Sequence, residues 1–213
     1  MSRGRSRGTC VYHRSMQECP DVTAFILAGG KSTRMGADKA FVEFDGRTLL
    51  ARALDLAHSV AADVRIVGSQ EKFAAHAPVV EDLFRDCGPL AGIQAALRAS
   101  RTEFNLILAV DMPFLSQELL QYLISRARSA SEAVVVVPLA DGRHQPLCAV
   151  YRLEFASVAE SALRAGQYRI NRLFDEVRIQ VIGPDELSGA GLSSAIFRNL
   201  NTPQDVEAQQ HGA

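Results

Sequence analysis

The sequence predicts an α/β fold, a three-layer α/β/α sandwich around a Rossmann-like, mostly parallel sheet. Three observations predict it. Strongly apolar runs of strand length recur at residues 22–28, 104–110 and 133–137, as expected of strands covered on both faces. Segments with apolar residues at helical spacing alternate with them. Glycine- or aspartate-rich turns stop the first two runs, at Gly29-Gly30 and at Asp111-Met112-Pro113.

The elements follow in order. Residues 1–20 are basic and carry no apolar stretch, which excludes a secretory signal. They read as a disordered extension, with Met16 as an alternative start. Residues 21–213 read as a single domain. Residues 22–28 form the first strand, and a polar glycine loop follows over 29–38. Residues 41–44 are a short strand ending at the Asp45-Gly46 turn. Thr48 caps a helix over 48–60, in which Leu49, Leu50, Ala53, Leu54 and Ala57 share a face. A strand over 63–67, a short helix over 70–75 and a strand end at Val79-Val80 come next. Residues 88–100 form a helix with Leu90, Ile93, Ala96 and Leu97 on one face. After the strand at 104–110, Ser116 caps a helix over 116–128. Beyond the strand at 133–137 the pattern is less regular. Strands are predicted at 146–152 and 178–182, helices at 154–165 and 169–176, and a last strand at 196–199. Residues 184–194, rich in Gly and Ser, read as a mobile loop, and Pro203 as the first turn of a final helix.

Composition narrows the function classes. The chain has 213 residues, 47% hydrophobic and 22% charged, with a formal net charge of −1. That balance provides no global basic field for nucleic acid, so an anionic ligand must be held by local cations. No apolar run approaches the ~18–20 residues of a membrane span. The four cysteines (Cys10, Cys19, Cys87 and Cys148) form no C-x-x-C pair, which argues against zinc or cluster ligation and suits a reducing cytoplasm. Cys148 reads as a small buried side chain in a strand. The five histidines are scattered with no Ser-His-Asp order and no H-x-x-x-H spacing. Only His144, in the polar stretch Gly142-Arg143-His144-Gln145-Pro146, is a candidate to touch substrate.

Open α/β sheets bind ligands beyond the carboxyl ends of their strands, and two such ends carry unusual residues. The first is Leu27-Ala28-Gly29-Gly30-Lys31-Ser32-Thr33-Arg34-Met35-Gly36-Ala37-Asp38-Lys39. Its glycines allow close backbone approach, its hydroxyls donate, and Lys31, Arg34 and Lys39 concentrate positive charge, a combination suited to a polyphosphate. It is neither a Walker A loop nor G-x-G-x-x-G. The second is Asp111. A carboxylate directly after a buried strand can hold Mg²⁺, which takes one or two carboxylates plus phosphate oxygens and water. Taken singly, the first feature is equally a solvated basic turn and the second a turn aspartate before Pro113. Asp82, after another strand end, can face ribose, metal or the attacking substrate, or be an ordinary loop acid. Gly88-Pro89-Leu90-Ala91-Gly92 opens a helix with small residues, which lets a ligand lie near its N-terminus or simply makes a tight turn.

Together these stretches resemble the molybdenum cofactor guanylyltransferases. The resemblance rests on LAGGKSTRMGADKA (27–40), VVEDLFRDCGPLAG (79–92), AVDMPFL (109–115), RHQPLCAVY (143–151) and NLNTPQDV (199–206), in order along the chain. The double glycine followed by Met35-Gly36-x-Asp38-Lys39 favours this branch over sugar, isoprenoid and sialic acid nucleotidyltransferases, which usually carry LAAG. The resemblance implies a nucleotide-diphospho-sugar transferase type of fold, with residues 21–140 as the nucleotide-binding half and 141–213 as the pterin half. It implies transfer of GMP from GTP to molybdenum-molybdopterin with Mg²⁺ as cofactor. Leu27, Ala28, Gly29 and Gly30 would meet the nucleotide, the first three at the guanine base. Lys39 and Arg34 would act on the phosphates, Asp82 on the nucleotide, and Asp111 on both metal and GTP. Asn199 and Asn201 would approach the reacting centre or the pterin substrate, and Arg169 and His144 would face that substrate. It further implies transient contact with cofactor-assembly proteins or acceptor molybdoenzymes. The sequence departs from the family at Val67-Gly68, where many members carry asparagine, and in having Tyr168-Arg169 with Arg172 in place of paired basic residues. Rival readings are a CTP-dependent cytidylyltransferase of the same fold, a non-catalytic nucleotide-binding adaptor and a sugar-phosphate nucleotidyltransferase.

Overall fold

The computed structural model describes residues 19–29, 38–84 and 86–200. Strand β1 (Cys19–Leu27) leads to a single 3₁₀ turn (Lys39–Phe41), the hairpin β2 (Glu43–Phe44) and β3 (Arg47–Thr48), helix α1 (Leu49–His58), β4 (Ala61–Val67), α2 (Gln70–Phe73) and β5 (Val79–Val80). There follow α3 (Pro89–Ala99), β6 (Phe104–Ala109), α4 (Gln117–Ser129), β7 (Val135–Ala140), β8 (Arg143–His144) and β9 (Cys148–Tyr151). The chain closes with α5 (Phe155–Arg164), α6 (Ile170–Leu173), β10 (Ile179–Ile182), α7 (Pro184–Gly189) and a second 3₁₀ turn (Ser194–Phe197).

Among the described residues an eight-stranded sheet runs in the order β10-β7-β9-β6-β1-β4-β5, with β8 paired to β7 off that path. Successive side chains of a strand point to opposite faces, and here both faces are covered. Ala24 and Ile26 of β1 join the cluster under α1 and α4, whereas Phe25 and Leu27 join the one under α3, α5 and α6. The same alternation in β6 sends Leu106 and Leu108 one way and Ile107 the other. This gives the three-layer arrangement that the apolar runs predict. Strands from both sides of residue 140 share the one sheet.

Several elements differ from expectation. β9 lies antiparallel to both β6 and β7, and β8 antiparallel to β7, while the other strand pairs of the sheet are parallel. The strand expected over 41–44 shortens to β2, and Phe41 instead closes the 3₁₀ turn that Asp38 caps by accepting from the Ala40 amide at 3.2 Å. The expected mobile loop at 184–194 contains α7, with Pro184 in its first turn and Leu187 buried. The expected strand at 196–199 is the second 3₁₀ turn, capped by the Ser193 side chain. The helix expected over 169–176 shortens to α6. The helix expected from Pro203 and the extension over 1–18 lie outside the described residues. The predicted Asp45-Gly46 turn is present, with φ of 50° and 70°, the positive values a two-residue hairpin needs. Cys148 is fully buried in β9, and burial pushes its thiol well above the usual range, which makes it unreactive. No described helix is long and apolar enough to cross a membrane.

Candidate active site

Strand register decides what meets at the carboxyl edge. Leu27 of β1 lies opposite Val67 of β4 on one side and Ala109 of β6 on the other, and Val67 lies opposite Val80 of β5. All four strands are parallel, so the residues that follow them leave at the same rim: Ala28-Gly29, Gly68-Ser69, Glu81-Asp82 and Val110-Asp111. The chain winds from β1 outward through β4 to β5 and then returns across β1 to β6. The rim between β1 and β6 is therefore a topological switch point, the usual crevice for a ligand.

Lys39 and Asp111 meet there. Asp38 and the 3₁₀ turn carry Lys39 back over the rim, and its Nζ donates to Asp111 Oδ2 at 3.0 Å. The two side chains keep 24% and 18% of their exposure, so the pair is shielded yet open to a ligand. Asp111 Oδ1 has no hydrogen-bond partner among the described residues. The Leu200 amide donates to the Asp111 carbonyl at 3.0 Å. That bond brings the exposed Asn199 to the same rim. Arg34, Gly30 and Asn201 lie outside the described residues.

Asp38, the residue before Lys39, lines a cleft of about 340 Å³ beyond the ends of β1, β4 and β5, together with Ala28, Gly29, Gly68, Lys72, Phe73 and Asp82. The amides of Ala28 and Gly29 both donate to Val67 O, at 3.0 and 3.1 Å, and the Leu27 carbonyl accepts from Val110 N at 3.2 Å. At Ala28 and Gly29 the backbone groups left for a ligand are therefore carbonyl acceptors. At the margin, Lys72 Nζ donates to Asp38 Oδ2 at 2.8 Å, and this bond raises the lysine above its ordinary pKa.

The glycine that follows β4, Gly68, has a local cause. A Cβ at Gly68 would come within 2.8 Å of the Phe73 ring, and that ring is buried. Gly68→Ala is expected to destabilise the fold by about 1–3 kcal/mol through overpacking and to narrow the cleft. Thermal unfolding should show a lowered Tm; an unchanged Tm would mean that the ring moves aside freely.

The second half of the chain contributes a separate group. His144 on β8 packs edge-on against Phe174 at 5.4 Å, and Phe174 follows α6, whose N-cap is the exposed Arg169. Among the described residues no hydrogen bond or ion pair joins His144 or Arg169 to the Lys39–Asp111 pair. Asp38, Lys72, Phe41 and the Gly68–Phe73 contact are parts of the site that sequence reasoning missed. A cap signal preceded the turn at Asp38; Lys72 had none.

Comparison with known proteins adds the family. A family model described as the MobA-like NTP transferase domain matches residues 24–181. The chain belongs to that family. The molybdenum cofactor guanylyltransferase of Desulfosudis oleivorans is 35% identical over 189 residues, covering 87% of this chain and 93% of that one. The crystal structure of molybdopterin-guanine dinucleotide biosynthesis protein A from Archaeoglobus fulgidus superposes with a TM-score of 0.76 at 27% identity, covering 87% of this chain and 95% of that one. The fold alone is shared with CMP:2-keto-3-deoxy-manno-octonic acid synthetase, with a TM-score of 0.68 at 12% identity over 89% of this chain and 96% of that one. Within this MobA-like chain the matched stretch holds Lys39, Asp82, Asp111, His144 and Arg169, and it ends before Asn199.

Proposed function

We propose that the chain transfers GMP from GTP to molybdenum-molybdopterin, forming the guanine dinucleotide cofactor and releasing pyrophosphate. The observation that carries this reading is the Lys39–Asp111 pair at the switch point, 3.0 Å apart, next in sequence to Asp38 of the cleft lining, in a chain of the MobA-like family.

The pterin's terminal phosphate is the nucleophile. Its second pKa is about 6, so it is largely ionised at neutral pH and needs no general base. One of its oxygens bonds to the α-phosphorus of GTP as the bond from that phosphorus to the bridging oxygen breaks, and pyrophosphate leaves with the electron pair. The obstacle is repulsion between anions, and Lys39 and Arg34 offset it. Asp111 fits a divalent ion in having one shielded carboxylate with Oδ1 open, since Mg²⁺ uses few protein carboxylates beside phosphate and water. Bound there, Mg²⁺ would neutralise phosphate charge.

Base choice follows from the acceptors in the cleft. Guanine presents N1–H and an exocyclic amino group, which suit the Ala28 and Gly29 carbonyls and the Asp82 carboxylate; cytosine presents mainly acceptors on its pairing edge. Asn199, Asn201, Arg169 and His144 take the pterin side. Contact with assembly proteins or acceptor molybdoenzymes is transient in this reading, and the isolated cysteines suit a cytoplasmic reaction. Thermal shift with Mg²⁺ and each nucleoside triphosphate tests the base. GTP at about 100 times its Kd should stabilise the fold by about 2.7 kcal/mol; larger stabilisation by CTP would overturn the guanine assignment. Pyrophosphate release with the pterin substrate separates an enzyme from a nucleotide-binding adaptor.

A further inference from the structure

We propose that Lys72, on the short helix beside the cleft, is a positioning residue that holds Lys39 on Asp111 through Asp38. The proposal rests on the guanylyl-transfer reading above, in which Lys39 acts on the phosphates.

The 3₁₀ turn that carries Lys39 is fastened to α2 on both sides of that lysine. Before it, the Asp38 carboxylate divides its oxygens: Oδ1 accepts from the Ala40 amide and so caps the turn, while Oδ2 takes the Lys72 ammonium at 2.8 Å. After it, the Phe41 ring stacks on Phe73 at 5.8 Å and 24°, and meets His76 at 5.7 Å. Phe41 stays 41% exposed, so this stack rather than core burial fixes it. Phe73 is buried and wedged against Gly68. A 3₁₀ turn this short has weak internal hydrogen bonds, so its orientation depends on such outside ties. The strap thus joins the wall of the cleft to the lysine at the rim.

Charge makes Lys72 matter beyond mechanics. Without it, Asp38 becomes a bare carboxylate next to Lys39 in sequence. It then competes with Asp111 for the Lys39 ammonium and draws it off the rim. The ion pair itself is half exposed, at 53% for Lys72 and 23% for Asp38, and such pairs contribute little to folding. Its loss should therefore appear in the rate and leave Tm nearly unchanged.

The test is steady-state guanylyl transfer by the full chain with Lys72→Ala, Lys72→Arg, Lys39→Ala and the Lys72→Ala/Lys39→Ala double variant. Lys72→Ala should lower kcat about tenfold, the scale of a misplaced catalytic group, with KM for GTP nearly unchanged. Lys72→Arg should restore most of the rate. In the Lys39→Ala background Lys72→Ala should cause no further loss, because it acts through Lys39. A raised KM with kcat intact would make Lys72 a direct nucleotide contact and overturn the proposal, as would a full additional loss in the double variant or an arginine variant as slow as alanine. If Lys39→Ala is slow while Lys72→Ala is normal, the strap fails and the proposed function stands. If Lys39→Ala keeps the wild-type rate, the assignment of Lys39 fails and the strap with it.

Discussion

An Asp111→Ala chain should fold normally and lose at least about three orders of magnitude of magnesium-dependent guanylyl transfer. Folding is spared because the strand end is held by its backbone. The Val110 amide donates to Leu27 O and the Asp111 carbonyl accepts from Leu200 N, and neither bond involves the carboxylate. The ion pair with Lys39 is partly exposed, so its loss costs about 1 kcal/mol or less. The rate suffers because the carboxylate is both the partner that orients Lys39 and the oxygen donor open at the rim. A circular dichroism melt checks the first half of this expectation. Pyrophosphate release measured across a magnesium titration checks the second. Near-normal magnesium-dependent turnover in the alanine chain would show that the ion is held elsewhere.

How far the sequence reveals this arrangement depends on which physical signal each part leaves. β1 and β6 are covered on both faces, so residues 22–27 and 104–109 are apolar except for the buried Thr23 and Asn105, and the signal is plain. The direction of β9 leaves none: Cys148-Ala149-Val150-Tyr151 is buried at every position and would be equally apolar running either way. α7 is hidden by its surroundings. Gly and Ser around it suggest a loop, and the helix depends on Pro184 in its first turn and one buried leucine, Leu187. At the site, Asp111 is legible because charge after a buried strand must face a ligand, a partner or water, and Lys39 because it closes a glycine loop that concentrates Lys31, Arg34 and Lys39. That the two touch follows from β1 and β6 being neighbours, a fact of topology that local pattern does not contain. Lys72 is illegible for the same reason. It lies 34 residues from Asp38, on a helix of four residues, and looks like any surface lysine.

Lys39→Ala should lower kcat by on the order of 10²–10³, the loss that follows removal of one preorganised charge partner. Its effect on nucleotide affinity should be smaller. Repulsion between pterin phosphate and triphosphate is greatest as the two approach, so a cation at the rim does most of its work in the transition state. The alanine chain also frees Asp111 Oδ2, now taken by the ammonium, so magnesium dependence should persist and the ion should bind at least as well. That distinguishes the two residues: Asp111→Ala removes magnesium dependence, whereas Lys39→Ala slows a reaction that still requires the ion. Lys39→Arg should recover only part of the rate, because the planar guanidinium fork does not place its charge where a compact ammonium does. The three variants measured together, with kcat resolved from KM and magnesium varied, are the check. A Lys39→Ala chain that merely raises KM would assign the lysine to ground-state binding and leave the rate enhancement to other groups.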